Sequence, residues 1–112
     1  EDVPYAAFDF DAFNAEFPGR AGEIELRTRR EGDYLPMKHG SKKIQDLLVD
    51  SKVRRNARDS ILMVCIDSEV LWVLPSEYFA GDREKAKGRF SSKFHISEAT
   101  KRVLLIELDE SI

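Results

Sequence analysis

The sequence has one cysteine, Cys65, two histidines, His39 and His95, and no apolar run longer than the six residues of ILMVCI (61–66). A single cysteine leaves nothing for an internal disulfide framework or a multi-cysteine metal site, and it suits a reduced, cytoplasmic setting. Two histidines far apart in the chain, with no HxxxH spacing, make no metal site either. Six apolar residues fall well short of the roughly 20 that a membrane-spanning helix needs, and no signal-peptide pattern opens the chain. No membrane partner is expected. Also missing are the Gly-rich phosphate loops, the G-x-S-x-G nucleophile elbow and the aromatic RNP signature of RNA-stacking sheets. No catalytic centre is expected within this chain, and Cys65, inside its apolar run, is expected to be buried packing.

What is present is enough for one compact domain over residues 1–112, with 42% apolar residues to fill a core and 35% charged residues to coat it. The start at Glu1 rather than Met suggests a piece of a longer protein. The net charge of −3 conceals a polarised distribution. Between Arg27 and Arg58 stand ten Lys/Arg against four Asp/Glu, or +6, which leaves −9 for the remainder. Such asymmetry points to a polyanion as partner, and the acidic balance elsewhere points to a focused patch rather than general stickiness.

Period-2 alternation predicts a strand in YAAFDFDAF with Ala6, Phe8 and Phe10 inward, followed by a loop over NAEFPGRAG. A second strand is expected in EIELRTR, with Ile24, Leu26 and Thr28 inward and Glu25, Arg27 and Arg29 outward, running into a turn at Gly32–Asp33. From Gly40 the period changes. Ser41 is a plausible N-cap, and Ile44, Leu47 and Leu48 recur at helical spacing, so a short helix from Ser41 to about Asp50 is expected. VRRNARDS suggests a further helical turn. ILMVCI and EVLWVLP, joined by Asp67–Ser68, read as a buried strand pair with Trp72 in the core. Residues 80–89 read as a polar loop, FSSKFHIS as a weaker strand and KRVLLIEL as a strong one. The fold class expected is α+β and β-rich, sandwich-like strands with one or two short helices.

The basic segment MKHGSKKIQDLLVDSKVRRNARD (37–59) is the candidate site. A helix N-terminus offers unpaired N–H groups and a partial positive charge, and HGSKK would put Ser41, Lys42 and Lys43 at one. Arg29 and Arg30 upstream, Lys38 and His39 in the preceding loop, and Lys52, Arg54, Arg55 and Arg58 downstream complete a set suited to phosphates. The competing reading is a solvated face with ordinary ion pairs such as Lys42 with Asp46.

The ordered motifs Arg29-Arg30-x-Gly32-Asp33, Gly40-Ser41-Lys42-Lys43, Asp50-x-Lys52-Val53, Arg58-Asp59 and Trp72-Val73 resemble the C-terminal domain of bacterial tRNA(Ile)-lysidine synthetases. The likeness covers roughly residues 24 to 108. It departs at Tyr34, where the family usually has Arg, at Arg54, where it usually has Pro, and at Gln45, where a basic residue is common. The resemblance implies a fold related to a module of the phenylalanyl-tRNA synthetase β subunit. It also implies an accessory RNA-binding role, docking the acceptor-stem side of tRNA(Ile) for an N-terminal catalytic domain absent from this chain. That domain would use ATP and magnesium to adenylate the wobble cytidine and attach lysine, a ligase reaction of tRNA modification. The expected partners are tRNA(Ile), that catalytic domain and a second copy of the chain. A protein-interaction or oligomerisation module without RNA contacts is the alternative, and a small hydrolase a third.

Overall fold

A computed structural model describes residues 4–76 and 88–109. The chain forms two compact units, one built from its two ends (residues 1–23 and 94–112) and one from the middle (24–93). Charge divides with them. The end unit carries three basic against ten acidic side chains, net −7, and the middle unit 15 against 11, net +4, which together give the chain's −3.

In the end unit, β1 (Tyr5–Asp9) pairs antiparallel with β8 (Val103–Glu107), Tyr5 facing Glu107 and Asp9 facing Val103. Ala6 and Phe8 are buried as their alternation requires. Phe10 does not continue the strand, because Asp9 caps a helix, α1 (Phe10–Glu16), which replaces the end of the expected strand (10–13) and the start of the expected loop (14–16). The Asp9 carboxylate accepts from the Ala12 amide at 3.0 Å and from the Thr100 hydroxyl at 2.8 Å. Those bonds favour the anion and hold its pKa below the ordinary carboxylate value. Phe13 and Phe17, one turn apart on α1 and its C-cap, lie 5.3 Å apart between ring centroids and meet Phe94 at 5.6 and 6.3 Å, in the core of this unit. Phe94 belongs to no strand, although FSSKFHIS suggested one; only β7 (Arg89–Phe90) forms there.

The middle unit is a sheet whose strands lie in the order Glu25–Arg27, Met63–Ile66, Glu69–Val73, Tyr34–Met37, Gly40–Lys43. Its spine is the expected hairpin, β5 (Met63–Ile66) and β6 (Glu69–Val73), antiparallel, with every residue buried. β2 (Glu25–Arg27) borders β5. The other edge of β6 is shared by β3 (Tyr34–Met37), parallel at Glu69, and β7, antiparallel at Trp72 and Val73. β3 turns through Lys38 and His39 into β4 (Gly40–Lys43), with Met37 opposite Gly40. Gly40 has φ +102°, which an L side chain rarely adopts, so this glycine closes a hairpin rather than opening a helix.

Helix α2 therefore starts at Ile44 and ends at Asp50. Its buried Ile44, Leu47 and Leu48 join Val53, Ala57 and Ile61 against strand residues Leu35, Met63, Cys65, Val70 and Val73. Burial of each such aliphatic side chain stabilises by about 1.5–3 kcal/mol. The turn expected in VRRNARDS is a 3-10 helix, Arg55–Ser60. Of the polar loop expected over 80–89, residues 80–87 lie outside the described residues. The architecture is the β-rich α+β class expected.

Candidate nucleic-acid interface

A groove of about 740 Å³ opens on the middle unit, with Arg29, Arg30, Lys43, Arg55 and Arg58 in its lining against Glu31, Asp33 and Asp59. Each wall has a local cause. Arg29 and Arg30 leave β2 just before the turn at Glu31–Gly32, Lys43 ends β4, and Arg55 and Arg58 sit on the 3-10 helix whose Ala57 is buried. Two of the three carboxylates are already neutralised. Asp33 is buried and takes both terminal nitrogens of Arg27, at 2.8 and 2.9 Å. Asp59 accepts from Arg29 Nε at 2.8 Å. Arg58 spends its Nε on the Val53 carbonyl at 2.9 Å, and exposed Arg30 reaches Glu25 at 3.3 Å. Lys43 and Arg55 have no ion-pair partner among the described residues. The groove thus keeps an excess of cation, five Lys/Arg against three Asp/Glu in its lining.

Six other residues in the expected set lie elsewhere. Lys38 and His39 form the β3–β4 turn, exposed; Ser41 is exposed on β4; Lys52 follows α2; and Arg54 precedes the 3-10 helix. Lys42 is half-buried and ion-paired with Asp50, not with Asp46. The Ser41 cap is corrected outright: the N-cap of α2 is Lys43, without a side-chain cap bond, and the Gly40–Lys43 stretch is strand. Because successive side chains of a strand point to opposite faces, Lys43 lines the groove while Lys42 does not.

The facing of β2 is also corrected. Leu26, expected inward, is exposed, and the Arg27 side chain, expected outward, is 9% exposed. Arg27 donates further to the carbonyls of Thr28 at 3.0 Å and Asp67 at 2.8 Å. Burial alone would raise the pKa of Asp33, but the paired guanidinium and the Arg30 amide, at 2.6 Å, hold it below the ordinary value, and Arg27 is held above its own. A carboxyl depressed in the folded state contributes stability above its unfolded pKa of about 4 and loses it as pH falls through the folded value. The urea midpoint of the chain is therefore expected to fall below pH 4, and its advantage over an Asp33→Asn variant to shrink over the same range.

Of the three departures from the family pattern, Gln45 lines the groove, whereas Tyr34 and Arg54 do not. Tyr34 instead donates to buried Glu69 at 3.2 Å, which Lys93 also meets at 3.0 Å. Cys65 is buried and its thiol is pushed up to about 12, chiefly by burial, so it is packing as expected. No helix among the described residues is long and apolar enough to cross a membrane, and no group of three His, Cys, Asp or Glu among them could hold a metal ion.

The fold is that of a solved structure titled as the TILS C-terminal domain, with a TM-score of 0.55 and 20% identity, covering 94% of this chain and 68% of that one. The family model described as the TilS substrate C-terminal domain matches residues 24–95, and the chain belongs to that family. It is 34% identical over 112 residues to the tRNA(Ile)-lysidine synthase of Clostridium tetani, covering 97% of this chain and 20% of that protein. It is 32% identical over 102 residues to that of Caldanaerobacter subterraneus subsp. tengcongensis, covering 89% and 18%. Over 54 residues it is 46% identical to that of Symbiobacterium thermophilum, covering 46% and 11%. The chain thus spans about a fifth, or less, of the length of these relatives.

Proposed function

We propose that this chain is the accessory tRNA-recognition part of a tRNA(Ile)-lysidine synthase and docks the acceptor-stem side of its RNA through the groove of the middle unit. One observation supports this most: five cationic side chains converge there, one of them, Arg29, paired with Asp59, while Arg27 from outside the lining neutralises Asp33. Duplex RNA is recognised mostly through its shape, phosphates and 2′-hydroxyls, which asks for placed cations rather than a catalytic centre. The ligase step, with its ATP and magnesium, would belong to the rest of a cytoplasmic enzyme.

Lys42 and Lys43 give the direct test. Lys43→Ala should weaken binding of an isoleucine tRNA and reduce the slope of log K against log salt by roughly one. Lys42→Ala should leave the slope unchanged, since Lys42 is paired with Asp50 away from the groove. Equal effects from both, or none from either, would remove the groove from consideration.

A second reading attaches to the end unit. One face of the β1–β8 ribbon carries exposed Tyr5, Val103 and Leu105 among acidic residues. Such a face suits a protein partner, either the catalytic domain or a second copy, and sedimentation of the chain with and without tRNA separates the two uses.

A further inference from the structure

Asp33 lines the groove and is paired with Arg27, so the pair offers it no free charge. The Asp33 carboxylate nevertheless does more than pair with Arg27. Its Oδ2 also accepts the backbone amide of Arg30 at 2.6 Å, and the Asp33 amide donates back to the Arg30 carbonyl at 3.2 Å. The Asp33 carbonyl accepts the amide of Ile44, the first residue of α2, at 3.0 Å. Arg27 in turn is tied to the β5–β6 turn through the Asp67 carbonyl.

We propose that Asp33 is a positioning residue that sets the Arg29–Arg30 arm of the groove by holding the Arg30 backbone amide, with Arg27 clamping the carboxylate in place. This deepens the RNA reading above and rests on it. Stability alone is a poor explanation of the pair, because a buried ion pair is often matched or bettered by apolar side chains of similar volume. What apolar side chains cannot supply is an acceptor for the Arg30 amide. A charge-assisted bond to that N–H fixes where two long, rotamer-rich arginines leave the backbone, which lowers the ordering cost of binding.

The test uses the whole 112-residue chain and a transcript of isoleucine tRNA. The paired variant Arg27→Met/Asp33→Leu should keep a urea midpoint near that of the unaltered chain. Its salt slope should be smaller by about two, so that the affinity ratio between about 50 and 200 mM salt shrinks roughly tenfold. Arg29→Ala/Arg30→Ala should give the same loss, and the four changes together no more than either pair. A merely structural role predicts additive losses, and that result, or an unchanged slope in the folded paired variant, overturns the proposal. Should the paired variant not fold, hydrogen exchange of the Arg30 amide in the unaltered chain decides. Protection like that of the sheet amides supports the clamp, and exchange at the open-chain rate overturns it. Lys43→Ala is the control, because the Asp33 carboxylate does not hold it. An unchanged slope there overturns the RNA reading and this proposal together, whereas loss with Lys43→Ala and none with the paired variant overturns this proposal alone.

Discussion

Arg27→Ala is expected to destabilise the middle unit by about 3–5 kcal/mol, because it strands a buried carboxylate rather than merely deleting an ion pair. Asp33 would lose both guanidinium donors, and the carbonyls of Thr28 and Asp67 would lose theirs. The pH dependence should reverse with it. In the unaltered chain the guanidinium and the Arg30 amide outweigh burial and hold the Asp33 pKa down. Without Arg27, burial dominates and the pKa rises above its unfolded value of about 4. A group raised on folding contributes stability below its unfolded pKa and loses it as pH climbs through the folded one. Arg27→Ala should therefore lose stability between pH 4 and 7, where the parent is flat or gaining. Urea midpoints at both pH values check this, and a variant with the parent's profile would mean that water reaches the carboxylate.

Gly88→Ala carries the second large effect, through two separate penalties. Gly88 has φ +91°, where a side chain is strained by about 1–3 kcal/mol. A Cβ there would also lie 2.3 Å from the Val73 carbonyl oxygen and 2.8 Å from Trp72 Nε1. The carbonyl is backbone in the most buried strand of the sheet, and Trp72 is 1% exposed and stacked on Phe90 at 5.8 Å. Neither can swing aside, so overpacking adds about another 1–3 kcal/mol. The expected result is a midpoint lowered well beyond that of an exposed Gly22→Ala control, read by urea denaturation, with the tryptophan fluorescence of Trp72 altered in the folded state. A cost below about 1 kcal/mol would mean that β7 can shift away from β6 freely.

The elements legible in the sequence are those whose signal is local and apolar. The β5–β6 hairpin is a continuous apolar run broken by Asp67–Ser68, and Ile44, Leu47 and Leu48 mark α2 whatever precedes them. Charged and short elements were harder to read. Gly40-Ser41-Lys42-Lys43 has the composition of a helix start, but β3 claims it as a hairpin partner, and four residues give alternation too little length to show. Asp9 belongs to a strand by its pairing and to a helix by its cap, so the period changes within one residue. The inward turn of Arg27 could not be read from alternation, since it depends on a carboxylate six residues on; the spacing of Arg27 and Asp33 about a Gly-turn was the one available hint. For the candidate site, the basic composition was legible, but the division into groove and non-groove cations required the strand register.

The pairing of β1 with β8 has a consequence for the chain as it is made. Tyr5 cannot meet Glu107 until the residues between them have left the ribosome. At about 5–20 residues per second, roughly 5–20 s separate the emergence of the two strands. In that interval the middle unit, whose partners lie much nearer in sequence, can complete its sheet, while β1 waits with Phe8 and Phe13 uncovered. Termination between Lys93 and Val103 would consequently remove the β1–β8 pairing and leave the groove-bearing unit whole.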